Sequence, residues 1–128
     1  MMAAVFEEES EPLTDAYLDR LLQRQGFWAF AALVGGDIVG GLTAHTLPMT
    51  RTESSEIFIY DIAVRRDHQR QGIGRRLMTT LRQAAADAGI QEVFVPADND
   101  DAHALDFYRA LGGTPSPVTV FSFSGDGR

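Results

Sequence analysis

The chain has 128 residues, 45% of them hydrophobic, with one Trp and eight Phe, so a single globular domain with one core is expected. It has no Cys, which excludes disulfides, thiolate metal sites and a Cys nucleophile, and no apolar run of the about 20 residues that a transmembrane helix needs. The net charge of −7 is uneven: residues 65–82 hold six Arg and one Asp, a local +5 that leaves −12 elsewhere and argues against nucleic acid as partner.

Residues 1–14 read as an acidic tail, with Glu7-Glu8-Glu9 and Pro12, and residues 15–128 as one domain. The start lacks the basic region of a signal peptide, so a cytoplasmic location is expected. Thr14 or Asp15 can cap a helix whose apolar stripe is Tyr17, Leu18, Leu21 and Leu22, ended by Gly26. Phe27 to Val34 reads as a strand, Gly35-Gly36-Asp37 as a hairpin turn, and Ile38 to Leu47 as the partner strand. A polar loop follows, then a β-branched and aromatic strand from Ile57 to Val64. After Gly72 an amphipathic helix carries Ile73, Leu77, Leu81, Ala84 and Ala88 on one face and stops at Gly89. Glu92 to Ala97 reads as a short strand. Asp100 or Asp101 starts a helix that ends at Gly112-Gly113, and Val118 to Phe123 reads as a last strand. Strand–helix alternation in the second half implies an α/β fold with part of the sheet parallel.

The junction of the third strand and the long helix carries the chemistry. Gln69-Arg70-Gln71-Gly72-Ile73-Gly74-Arg75 is a glycine-containing turn at the start of a helix. Backbone N–H groups converge there and the helix dipole favours negative charge, so the physics points to an anion site, phosphate above all. A Walker loop is excluded because the chain has no Lys. The dinucleotide fingerprint is excluded because its third glycine position, 77, is Leu.

Gln-x-x-Gly-x-Gly after a hydrophobic strand resembles the pyrophosphate loop of the GNAT superfamily of acyl-CoA N-acyltransferases. Further segments match in order. Ile62-Ala63-Val64 looks like the end of the superfamily's splayed central strand, and Ala104 to Gly112 looks like its Ala-x-x-Phe-Tyr-x-x-Leu-Gly helix. Ser55 to Val64, Gln71-Gly72-Ile73, Ala97-Asp98 and Asp101, with Phe27 to Ala32 and Val39 to Pro48, resemble the type I (gentamicin) aminoglycoside 3-N-acetyltransferases. The resemblance implies a mostly antiparallel mixed sheet with a splayed central strand and flanking helices, the first strand and helix being shortened or missing. It implies acetyl-CoA as donor and a polycationic aminoglycoside as acceptor, acetylated at its 3-amino group with antibiotic resistance as the result. Either the acidic tail or a second subunit, in a homodimer, would cover the sheet edge.

Acetyl transfer to an amine requires a base for the ammonium proton, hydrogen-bond donors for the thioester carbonyl and an acid for the departing thiolate. It requires no covalent enzyme intermediate. The resemblance assigns cofactor binding to Ile62, Ala63, Val64 and to Gln69, Arg70, Gln71, Gly72, Ile73, Gly74 and Arg75. It points to the backbone N–H groups around Ile62 and Val64 for the carbonyl, and to Tyr108 for the acid. Asp61 lies in an otherwise apolar strand, where burial would raise its pKa and make it a base or a partner for a cation. Asp98 is the other candidate base, and Asp101 and Glu56 are further acids for a cationic substrate. Capping of the following helix is the competing role for Asp100 and Asp101. His45, His68 and His103 do not form a metal site, and no metal is expected. Two other readings fit the same residues. One is a superfamily member acting on polyamine or protein amines. The other is a non-catalytic acyl-CoA sensor, which would need neither Tyr108 nor Asp61.

Overall fold

The computed structural model describes residues 13–125, so all of the expected tail but Leu13 and Thr14, and the expected shortening or loss of the first strand and helix, lie outside the described residues. The chain divides into two compact units, one ending at Pro96 and a smaller one beginning at Ala97.

The larger unit is a four-stranded sheet in the order β1-β2-β3-β4, with β1 Phe27–Val34, β2 Asp37–Pro48, β3 Ser55–Val64 and β4 Glu92–Phe94. The first three strands are antiparallel, and β4 pairs parallel to β3. This is the mixed, mostly antiparallel GNAT sheet. Helix α1, Asp15–Gln23, precedes the sheet; its N-cap Thr14 accepts a hydrogen bond from the Tyr17 N–H at 3.2 Å. Helix α2, Ile73–Asp87, is the crossover between β3 and β4 and packs across β1, β2 and β3.

The core lies between α2 and one face of the sheet. Leu42 and Ala44 of β2 and Ile57 and Ile59 of β3 bury against Leu77, Met78, Leu81 and Ala85 of α2. The buried helix stripe thus differs from the expected one. Leu77 and Leu81 belong to it, Met78 and Ala85 complete it, and Ala88 is the exposed C-cap. The stripe follows the i, i+4 spacing of 77, 81 and 85, which leaves Ala88 beyond the sheet. Gly40 of β2 is needed for close approach: a Cβ there would stand 3.2 Å from the Ala63 carbonyl oxygen and 3.2 Å from Ile73 Cγ2. That contact ties the end of β3 to the start of α2.

The smaller unit holds helix α3, Ala102–Ala110, and an extended C-terminal segment. The structure corrects two expectations, one at the end of the larger unit and one in the smaller. β4 ends at Phe94 rather than at Ala97. Val118 to Phe123 forms no strand: Val118, Val120, Phe121 and Phe123 are 77%, 78%, 79% and 89% exposed. Val-Thr-Val-Phe-Ser-Phe changes phase at Phe121, so neither face is uniformly apolar, and a β-rich segment is a strand only when its backbone finds a ladder partner.

Candidate active site

β3 changes character halfway along its length. From Glu56 to Phe58 it pairs with β4 on one side and β2 on the other. From Ile59 to Val64 only β2 pairs with it, so its second edge is open among the described residues. In the same stretch the register with β2 slips. Thr43 faces Asp61 and Ala44 faces Ile59, which makes Tyr60 the extra residue of a β-bulge. The sequence reading missed the bulge because Ile57 to Val64 looks like an unbroken strand.

The bulge places two successive residues in the open: Tyr60 and Asp61 are both exposed. Partial burial still desolvates the Asp61 carboxylate enough to raise its pKa above the ordinary aspartate value. No side-chain or backbone donor among the described residues hydrogen-bonds to it.

The Arg65 N–H donates to the Val39 carbonyl at 2.7 Å, toward β2. Alternation along a strand then turns the N–H groups of Val64 and Ile62 toward the open edge. On that edge the Gln69 side-chain amide donates to the Val64 carbonyl at 3.0 Å, closing the loop onto the strand. Gln69 therefore acts within the fold as a clasp.

The loop leads through a short 3-10 turn, Arg66–His68, where His68 Nδ1 and Asp67 Oδ1 lie 2.9 Å apart. This hydrogen bond lowers the Asp67 pKa. Arg70 then takes a positive φ of 63° and Gly72 one of 82°. For Arg70 the left-handed conformation costs about 1–2 kcal/mol. Gly72 adopts it freely, and no atom stands within 4 Å of where its Cβ would be. Gly72 is the N-cap of α2 and supplies no side-chain hydrogen bond, so the first N–H groups of the helix, from Ile73, Gly74 and Arg75, have no side-chain cap. Arg65, Arg66, Arg70, Arg75 and Arg76 are exposed around this point, and none forms an ion pair with a carboxylate among the described residues. N–H groups without a side-chain cap, a helix dipole and guanidinium groups without a carboxylate partner are the chemistry that an anion site requires, although the Arg65 guanidinium donates to the Ile38 carbonyl at 3.4 Å.

In the smaller unit, the Asp98 carboxylate accepts from the Asp100 N–H at 2.9 Å, and the Asp101 carboxylate caps α3 by accepting from the Ala104 N–H at 3.0 Å. Of the two capping candidates, Asp101 is the one used. Tyr108 lies on α3, half-buried and beside the ring of Phe107 at 5.2 Å between centroids. Burial, and then the negative charge of Asp101, raise its pKa, so the phenol is protonated at neutral pH.

Glu56 stands in the paired half of β3, across from Glu92 of β4 and Leu47 of β2. His45 is a strand residue of β2, its ring 5.2 Å from Phe27 and 6.1 Å from Tyr60. His103 is exposed on α3. Among the described residues no group of His and acidic side chains is arranged to hold a metal.

Comparison with known proteins places the fold in a family. The acetyltransferase (GNAT) family matches residues 2–112. An aminoglycoside acetyltransferase from an uncultured soil metagenomic sample, solved in complex with sisomicin, is 40% identical. The match covers 94% of this chain and 81% of that one, with a TM-score of 0.87. A second aminoglycoside acetyltransferase, also from an uncultured soil metagenomic sample, is 39% identical, with 88% and 74% coverage and a TM-score of 0.82. N-acetyltransferase family 8 member 2 of Rattus norvegicus is 24% identical over 111 residues; the chain spans about half of that relative's length, 47%. The family's acyl donor is acetyl-CoA, and the donor set around Gly72 has the chemistry its phosphates require. The sheet with its half-open third strand, the uncapped α2 and the family match lead to one conclusion: this chain belongs to the acetyltransferase (GNAT) family.

Proposed function

We propose that this chain transfers an acetyl group from acetyl-CoA to the 3-amino group of an aminoglycoside, and so confers resistance to it. The observation that carries the reading is the open half of β3, which holds Asp61, a carboxylate without a hydrogen-bond partner among the described residues, and leads through the following loop to the uncapped helix at Gly72. The substrate class is supported by 40% identity to a relative crystallised with sisomicin, and by the acidic balance of the chain outside residues 65–82.

Acetyl-CoA supplies the activated thioester. The N–H groups of Ile73, Gly74 and Arg75 and the guanidinium groups of Arg70 and Arg75 hold its phosphates, with Gln71 in the same loop. The edge of Ile62, Ala63 and Val64 offers N–H groups to its amides and to the reacting carbonyl. Asp61 takes the ammonium proton, and desolvation strengthens it as a base. Tyr108 gives a proton to the departing thiolate; its raised pKa keeps that proton in place until it is needed. Asp98, Asp101 and Glu56 supply further negative charge for an acceptor with several ammonium groups.

The test is an acceptor panel of sisomicin, spermidine and short peptides, read by release of the CoA thiol. Release with sisomicin above all others is expected. Release only with spermidine or peptides would replace the acceptor and keep the transfer. Cofactor binding with no release across the panel would make the chain an acyl-CoA sensor.

A further inference from the structure

The bulge in β3 does more than expose Asp61. Leu42, Ala44, Ile57 and Ile59 face α2, so strand alternation turns Thr43, His45 and Phe58 to the opposite face of the sheet. Tyr60 lies on that face too, because its ring meets those of His45, at 6.1 Å and 65°, and Phe58, at 5.9 Å and 61°. Asp61 stands across from Thr43 and joins them. An unbulged strand would have sent Tyr60 and Asp61 to opposite faces.

The rings form a row across all four strands: Phe27, His45, Tyr60, Phe58 and Phe94, with neighbouring centroids 5.1–6.1 Å apart. Phe27, His45 and Phe58 are partly covered, whereas Tyr60 is 66% exposed. Its hydroxyl has no hydrogen-bond partner among the described residues, so the fold does not explain why a large ring stands there. His45 and Phe58 brace the ring at steep angles without burying it.

We propose that Tyr60 is a specificity-determining residue: its braced, exposed ring is the platform on which the aminocyclitol (deoxystreptamine) ring of the acceptor stacks while the adjacent Asp61 receives that ring's 3-ammonium group. A six-membered cyclitol ring offers a flat C–H surface to the aromatic ring and its ammonium group to the neighbouring carboxylate. The carboxylate one residue away fixes which amine lies at the strand's open edge. A linear polyamine carries the charge without the flat surface, so it gains little from Tyr60. The inference rests on the aminoglycoside reading above and adds the residue that selects a ring over a chain.

The test compares wild type with Tyr60→Ala, Tyr60→Leu and Tyr60→Phe in steady-state kinetics with sisomicin and with spermidine, with the KM for acetyl-CoA as internal control. Loss of the ring in Tyr60→Ala and Tyr60→Leu is expected to raise KM for sisomicin about tenfold or more with kcat changed less than about threefold, because uniform binding is lost. Tyr60→Phe restores the ring and is expected to recover KM to within about threefold of wild type. Any turnover of spermidine should shift less than that of sisomicin. A wild-type enzyme active on sisomicin whose KM is unmoved by Tyr60→Ala overturns the platform and leaves the function standing. Equal losses in Tyr60→Phe and Tyr60→Ala overturn it as well, by assigning the effect to the hydroxyl. No turnover of sisomicin by wild type overturns both.

Discussion

Helices α2 and α3 each follow a charged turn, basic before α2 and acidic before α3, and their N-termini are built in opposite ways. At α3, the turn 98–101 satisfies itself. Asp98 binds the Asp100 N–H, and Asp101 binds the Ala104 N–H as the N-cap. At α2, the N-cap is Gly72 in a left-handed conformation, and no side chain among the described residues caps the first N–H groups. Ser, Thr, Asp or Asn would gain only a few tenths of a kcal/mol over Gly at this cap, and would be strained at the φ of 82° that Gly72 adopts; the chain uses side-chain caps at Thr14 and Asp101 instead. The contrast extends to the carboxylates. Those of Asp98 and Asp101 are engaged by backbone N–H groups, whereas that of Asp61 is partly desolvated and has no hydrogen-bond partner among the described residues. Groups satisfied within the fold hold it together; groups left unsatisfied remain for ligands and protons.

The largest effect should fall on Asp61. Asp61→Asn keeps the shape and removes the base, and kcat/KM is expected to fall by about 10² or more with the KM for acetyl-CoA preserved. Asp98→Asn should lower it by less than about tenfold, since that carboxylate serves the turn. A larger loss for Asp98 than for Asp61 would reverse the assignment of the base. Gly72→Asp comes next. It adds a negative charge and a side chain where phosphate binds, so acetyl-CoA affinity measured by calorimetry should drop at least tenfold, about 1.4 kcal/mol. Retained affinity in a folded variant would remove the phosphate loop from the account.

Asp101→Ala probes the other helix. It should destabilise the chain by about 1 kcal/mol in urea denaturation, the usual loss of a cap, and move acetyl-CoA affinity far less than Gly72→Asp does. The smallest effect concerns pH. The folded chain holds the Asp61 proton more tightly than the unfolded chain, because its pKa is raised above 3.8. Stability from that proton is complete below the unfolded value and is lost as pH rises through the folded pKa. Asp61→Asn should therefore be at least as stable as wild type at about pH 7, with the difference closing at about pH 3. A less active but more stable variant marks an acid placed for function.

Much of the fold is legible in the sequence. The apolar runs of β1 to β3, the Gly35-Gly36 turn and the extent of α2 fall close to where the sequence puts them, because each is a local pattern, although Asp37 opens β2 instead of closing the turn. Gly72 is legible as a turn glycine. Arg70 is not legible as a left-handed residue, since nothing in its chemistry favours φ of 63°. The bulge at Tyr60 is invisible because register belongs to two strands and not to one. That single slip decides which face Asp61 takes. Val118 to Phe123 fails for the related reason that composition nominates a strand but only a partner makes one. Asp100 and Asp101 are equivalent as caps by residue type; the turn closed by the Asp101 N–H on the Asp98 carbonyl at 3.0 Å selects the second.

The most direct test of the central claim is the position of the acetyl group on product. Wild-type protein, acetyl-CoA and sisomicin are mixed, and the product is read by two-dimensional NMR. The account predicts one new acetamide, on the 3-amino group of the deoxystreptamine ring, formed in step with CoA thiol. An acetyl group on any other amine, or thiol release without acetylated sisomicin, would contradict it.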